Sequence, residues 1–243
     1  MDATLASLGY AAFVSTSLVL GLLLLLLWRR TRQTPELAIA ATLICGALAF
    51  ALAIAAYSLN GLPHIASVLL ETLSSFSAHL SSASLALATR LLFRREARWA
   101  RRLQISITLA LAATFSLRLV DPLAFPPPAL VFWTYTPLGA FVYAWAAWES
   151  FGCWATLRRR APLDLADRDL ARRFLLWGIA GTSAVAIFTI AMVERAIGPG
   201  TLSRFSIALM SALGLIAASG ISFAFFPRRA RATESFADGR RAG

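Results

Sequence analysis

Residues 18–32 read LVLGLLLLLLWRRTR, an apolar run that ends in three arginines. The same pattern recurs along the chain, in which 58% of the 243 residues are hydrophobic and only 14% are charged. Soluble domains carry about 25% charged residues, so this composition predicts an all-α integral membrane protein. A helix needs about 20 apolar residues to cross a bilayer. Seven stretches are long enough, at about residues 10–28, 36–59, 63–92, 103–120, 129–155, 173–195 and 202–226.

The charges in the connections predict the orientation of these helices. All 23 basic residues are arginines, and all but Arg118, Arg195 and Arg204 lie in four of the connecting or terminal segments. Those segments are 29–35, 90–102, 156–173 and 227–243. Because cytoplasmic loops carry the excess of basic residues, the pattern predicts a seven-transmembrane-helix bundle with its N-terminus outside and its C-terminus in the cytoplasm.

The apolar stretches leave little room for other domains. We expect residues 1–226 to form one membrane domain, followed by a short basic tail at 227–243 that is disordered in the cytoplasm. No connection is long enough for a soluble catalytic domain, and motifs of membrane proteases and hydrolases are absent from the sequence. We therefore expect no enzymatic activity. Exclusive use of arginine in an Ala/Leu-rich chain is typical of high-GC bacteria, which predicts a multi-pass protein of the bacterial inner membrane.

Two compositional features exclude specific functions. A retinal protein requires a lysine in its last helix, because only a primary amine forms the Schiff base, and this chain has no lysine. The formal charge of +11 does not indicate nucleic-acid binding, because the arginines lie at the ends of apolar runs, where they contact lipid headgroups. Cys45 and Cys153 lack the spacing of a zinc site or of a disulfide framework.

The third apolar stretch is the most polar, and it holds the candidate ligand-binding residues. A carboxylate at membrane depth costs several kcal/mol unless it is paired, protonated or facing a cavity, which makes Glu71 a candidate functional residue. We expect its partner to come from helix 2, 6 or 7. The alternative is a neutral Glu71 that hydrogen-bonds a serine or tyrosine of the bundle. The candidate ligand-binding residues are Glu71, His79, Ser75, Ser82 and His64.

His79 lies near the middle of the same stretch and has three possible roles. An imidazole at this depth can serve as a single axial ligand of haem or chlorophyll, relay a proton, or hydrogen-bond a neighbouring helix. Ligation by two histidines is excluded, because His64 is the only other histidine and lies about 22 Å away on the same helix. We predict no bound cofactor, with a single axial ligand at His79 as the alternative.

The cytoplasmic ends of the helices hold the candidate partner-docking residues, which form the largest polar surface of the chain. Glu149 lies near the inner interface, within snorkelling reach of Arg158–Arg160 at the end of the fifth stretch. The candidate docking residues are Arg94, Arg95, Arg98, Arg158, Arg159 and Arg160.

Small residues mark the last two helices. Gly178 and Gly181 lie in the sixth stretch, and Ser211, Gly214 and Gly220 lie in the seventh. Small side chains allow two helices to approach closely in a membrane, so we interpret them as packing residues. Small residues also line ligand crevices, and that alternative stays open.

Two segments of the chain resemble a known group of proteins. Residues 28–53 read WRRTRQTPELAIAATLICGALAFALA, and residues 212–231 read ALGLIAASGISFAFFPRRAR. Both resemble the N-terminal seven-helix sensory regions of bacterial histidine kinases and diguanylate cyclases, in which a Phe-Pro pair closes the last helix. The resemblance implies a sensory membrane domain. No kinase or cyclase sequence follows Phe226 and Pro227, so a signal would pass to a separate protein.

These observations favour a stand-alone membrane sensor that takes up a small or lipophilic ligand and signals through its arginine-rich cytoplasmic loops. The expected partners are the lipid bilayer and a separate protein on the cytoplasmic face. One alternative is a structural or accessory subunit of a larger membrane complex that contains a pigment or quinone. The other is a small transporter or a lipid-handling protein.

Overall fold

The computed structural model describes residues 2–58, 63–123, 128–160, 167–198 and 203–225, and this part of the chain forms seven α-helices. The predicted all-α architecture is therefore confirmed, while the predicted tail at 227–243 lies outside the described residues. The helices are α1 (Asp2–Thr31), α2 (Thr34–Ser58), α3 (His64–Phe93), α4 (Arg98–Arg118), α5 (Ala129–Arg160), α6 (Arg168–Ile197) and α7 (Arg204–Phe225).

Four of the helices have the length and composition of membrane-spanning helices. The spans in α1, α2, α6 and α7 are Ala11–Thr31, Thr34–Ala56, Arg168–Ile197 and Phe205–Ala224. The α3 and α5 helices, with 30 and 32 residues, are at least as long as these four helices. Their apolar character is lower because both bury polar side chains; in α3 these include five serines, a glutamate and a histidine.

Several helices are longer than the apolar stretches that identify them. The α1 helix begins at Asp2 instead of residue 10, and α5 continues to Arg160 instead of ending at residue 155. The α6 helix begins at Arg168, five residues before the predicted start, and the Asp167 side chain caps it by accepting a hydrogen bond from the Asp169 amide. Hydropathy marks the apolar part of a helix, whereas capping groups and backbone geometry mark its ends.

The turn between α1 and α2 has a well-defined backbone geometry. Arg32 adopts a positive φ of 58°, and its amide donates to the Trp28 carbonyl at 2.7 Å. A single residue in this left-handed conformation is a common end of an α-helix. The α2 helix begins two residues later, and Pro35 lies in its first turn, where the missing amide hydrogen costs nothing.

Six of the seven helices form a closed ring, and the remaining helix, α4, packs on its outside. Around the ring the order is α1, α2, α3, α5, α6 and α7, and α7 contacts α1 to close it. The α4 helix lies outside, against α3 and α5. One apolar cluster, which includes Leu85, Leu111 and Val142, joins α3, α4 and α5.

Neighbouring helices along the chain run in opposite directions. At one end, Phe93 of α3 contacts Phe174 of α6, and Arg94 pairs with Glu149 of α5. At the other end, the Arg195 guanidinium of α6 lies over the Phe132 ring of α5. The described arginine-rich C-terminal ends of α1, α3 and α5 therefore lie at one end of the bundle, called the basic end below.

Hydrogen bonds from serines of α3 hold it against α2. Ser74 donates to the Ala49 carbonyl and Ser81 donates to the Thr42 carbonyl, both at 2.8 Å. A Cβ atom on Gly46 would lie 3.2 Å from the Ser81 hydroxyl, so the glycine leaves room for this approach. Serine hydroxyls that bond across two helices replace water as the partner of a polar group inside an apolar bundle.

We expect Gly21→Ala to lower the free energy of unfolding by about 1–3 kcal/mol. An added Cβ would lie 2.6 Å from Ile44 Cγ1 and 3.2 Å from the Ile44 backbone nitrogen, so α1 and α2 would have to separate. Gly152→Ala is the matched control, because nothing lies within 4 Å of its added Cβ. The control should leave stability unchanged or raise it by up to about 1 kcal/mol, since alanine favours helix. Unfolding in mixed detergent micelles measures both, and equal stabilities would contradict the prediction.

Candidate functional site

The Glu71 carboxylate is buried and pairs with an arginine of α4. Its Oε2 atom lies 3.6 Å from Nη2 of Arg118, and both side chains are about nine-tenths buried. Arg118 Nη1 also donates to the Asp121 carbonyl at 3.1 Å. The Glu71 Oε1 atom is buried without a hydrogen-bond partner among the described residues. The partner was predicted to come from helix 2, 6 or 7; that prediction was wrong, because α4 covers this face of α3.

His79 lies about two helical turns from Glu71, in the same α3–α4 interface. Its Nδ1 atom lies 2.7 Å from the Ser75 carbonyl, which only accepts, so Nδ1 carries the proton. Its Nε2 atom lies 3.2 Å from the Thr114 hydroxyl. The ring also stacks beside Tyr135, with centroids 4.3 Å apart. Because both ring nitrogens already have partners, an axial role at a metal would require the Thr114 contact to break.

The other predicted ligand-binding residues lie at separate positions on α3. Ser82 is buried, donates to the Ala78 carbonyl at 3.2 Å and lies beside the Tyr135 phenol. Ser75 contributes its carbonyl to His79. His64 is exposed at the first residue of α3. The structure thus brings Ser75, His79 and Ser82 together, places Glu71 two turns away, and separates His64 from them.

The ring of six helices borders a partly open cavity that these residues do not line. Its volume is about 340 Å³, within the range of small-molecule sites. The wall comes mainly from α2, α5, α6 and α7, with Phe13 of α1 and Leu85 of α3. The cavity was not predicted from the sequence, although three of the small residues interpreted as packing residues lie in its wall: Gly181, Ser211 and Gly214.

The cavity wall is apolar except for a few hydroxyl groups. Thr42 and Ser211 each donate their hydroxyl proton to the carbonyl four residues earlier in their own helix. The Tyr143 phenol lies beside Ser81, whose hydroxyl donates to the Thr42 carbonyl. Thr136 is 6% exposed and also lines the wall. None of the described lining residues is charged.

A buried carboxylate organises the basic end. Both oxygens of Glu149 accept from Arg94 Nε, at 2.9 and 3.1 Å, and the Trp145 indole donates to Oε1 at 3.3 Å. The hydrogen bond and the negative charge of Glu149 raise the pKa of Arg94 above its already high value. The sequence places Glu149 within reach of Arg158–Arg160, but its partner is Arg94, because nine residues along a helix place Arg158 on the opposite face.

The remaining docking candidates are exposed at the same end. Arg95, Arg98, Arg159 and Arg160 are exposed, and Arg95 lies 4.0 Å from Glu96. The Arg158 guanidinium lies over the Trp154 ring at 5.4 Å. Their exposure is compatible with docking, which stays a prediction.

Comparison with protein-family models, with curated proteins and with solved structures found no match to this chain. Among the described residues, no group of three or more His, Cys, Asp or Glu side chains is arranged to hold a metal ion.

Proposed function

We propose that this protein is a seven-helix membrane sensor that binds a small lipophilic ligand in the cavity bordered by its helix ring. The observation that carries this proposal is the cavity itself, which has the volume of a ligand site and an uncharged, mostly apolar wall. A water-filled path for ions or polar solutes would be lined by charged or strongly polar groups. The composition of the wall therefore favours a ligand that partitions into lipid.

The proposal places the basic end in the cytoplasm of a bacterial cell and the N-terminus outside. Support comes from the arginine-rich C-terminal ends of α1, α3 and α5, which lie at one end of the bundle, and from the positive-inside rule. In this orientation Arg95, Arg98 and Arg158–Arg160 face the cytoplasm, where they can contact an acidic surface of a separate signalling protein.

A ligand in the ring has a direct mechanical route to the basic end. The α5 and α6 helices line the cavity with Ala146 and Trp177, and each continues from there into an arginine-rich terminus. A ligand that separates these helices by a small distance would move the termini as rigid bodies. Ligand binding can shift the population of two such arrangements only if the ligand binds them with different affinities.

The test uses a bromoalkane, whose bromine quenches nearby tryptophan fluorescence, with the protein in lipid nanodiscs. We expect quenching of Trp177, which lines the cavity. Trp177→Phe is the control that separates this signal from those of the six other tryptophans. If the substitution does not change the quenched fraction, the cavity does not bind a lipophilic ligand and the proposed function fails.

The signalling step is tested with spin labels on cysteines at Arg95 and Arg159, both exposed at the basic end. The two native cysteines, Cys45 and Cys153, are first replaced by serine. Saturation with the bromoalkane should shift the distance between the labels by about 1–2 Å. Binding without any shift would retain the ligand site and contradict the sensor.

A further inference from the structure

The cavity is elongated along the helix axes. Its wall runs from Thr136 to Ala146 on α5 and from Trp177 to Ala191 on α6. At 1.5 Å per residue these segments are roughly 15 and 21 Å long. A molecule that fills such a space lies parallel to the helices, which is the shape of an extended lipid chain.

The wall also limits the charge of the occupant. No charged side chain lies among the described residues that form it. A carboxylate or an ammonium group would lose its hydration there without gaining a counter-ion, at a cost of several kcal/mol. The occupant of the cavity is therefore neutral.

Thr136 supplies a polar group that the fold leaves unused. Two other buried threonines, Thr42 and Thr89, donate to the carbonyl four residues earlier, at 2.9 and 2.8 Å. Thr136 is also a buried residue and lines the cavity, and its hydroxyl makes no hydrogen bond to another described residue. A hydroxyl without a protein partner in a mostly apolar wall can hydrogen-bond a ligand, so this position is suited to the polar group of a ligand.

We propose that the cavity holds a neutral, chain-like lipid whose single polar group hydrogen-bonds the Thr136 hydroxyl. The proposal rests on the proposed function and specifies its ligand class. Thr136 lies near the start of α5, at the end opposite the basic end, whereas Trp177 lies near the start of α6, at the basic end. The polar group is therefore directed away from the basic end, and the tail extends toward Trp177.

The test compares a long-chain primary alcohol, the alkane of the same length and the corresponding ionised fatty acid, with the protein in nanodiscs. We expect the alcohol to bind most tightly and the acid most weakly. Thr136→Val, which keeps the shape and removes the hydroxyl, should weaken alcohol binding by about 2–10-fold and leave alkane binding unchanged. Unchanged alkane binding also shows that the variant folds.

Thr134→Val is the matched control, because the Thr134 hydroxyl already donates to the Leu130 carbonyl at 2.7 Å and does not line the cavity. It should bind all three compounds like the wild type. Equal affinities of wild type and Thr136→Val for the alcohol would overturn the anchoring role, while alkane binding would still support the proposed function. Failure of the alkane to bind would instead overturn the proposed function.

The position of a bromine on the alcohol tests the orientation. A bromine at the tail should quench Trp177, and a bromine beside the hydroxyl should not. The reverse pattern would contradict the anchoring of the polar group at Thr136.

Discussion

Replacement of Arg118 by methionine is expected to lower the free energy of unfolding by about 3–5 kcal/mol. Its guanidinium lies 3.6 Å from the Glu71 carboxylate, and both side chains are about nine-tenths buried. Methionine retains the apolar volume and removes the charge, so the Glu71 carboxylate remains buried without its counter-ion. Removal of one partner of a buried pair destabilises more than removal of both.

Two further variants test this explanation. Glu71→Gln together with Arg118→Met removes both charges and should recover most of the lost stability. Arg98→Met on the same helix is the matched control, because Arg98 is exposed, and it should change stability by less than about 0.5 kcal/mol. Reversible unfolding in mixed micelles measures all of them. Equal losses in the single and double variants would show that Arg118 acts through its other contacts and not through Glu71.

The number and approximate position of the helices could be predicted from the sequence, because apolar length and proline or glycine breakers are local properties. Neighbour relations between helices could not. The α4 helix packs outside the ring, and this placement brings Arg118 to Glu71 and Thr114 to His79. Hydropathy contains no information on which helix leaves the ring, so the partner of Glu71 was expected from the wrong helices.

The cavity shows a second limit of prediction from sequence. Gly214 and Gly220 lie on the same helix, yet a Cβ on Gly220 would lie 3.0 Å from the Leu176 carbonyl while one on Gly214 would meet nothing within 4 Å. Gly220 allows close packing of α7 against α6, whereas Gly214 borders empty space. The difference depends on the separation of the helices and not on the residue type, so the small residues alone could not locate the cavity.

Ala184→Phe is expected to abolish ligand binding without unfolding the protein. Ala184 lies on α6 in the wall of the cavity of about 340 Å³, and a phenyl ring would occupy much of the space available to a ligand. We expect affinity for the bromoalkane to fall at least about 100-fold, since a ligand and an aromatic ring cannot fill the same volume. Filling a cavity commonly raises stability by about 0.5–2 kcal/mol, so the free energy of unfolding should stay constant or increase.

Loss of ligand binding together with unchanged or increased stability distinguishes a ligand site from a packing defect. Ala113→Phe on α4 is the matched control, because Ala113 is exposed on the outside of the ring and its substitution should alter neither binding nor stability. In Ala184→Phe the ligand-dependent distance change between the labels at Arg95 and Arg159 should also disappear. Retained binding in Ala184→Phe would place the ligand elsewhere. A loss of stability comparable to that of Arg118→Met would show that the space among the six helices is too small for a ligand. In that case the helices would have to separate to admit the phenyl group of the new side chain.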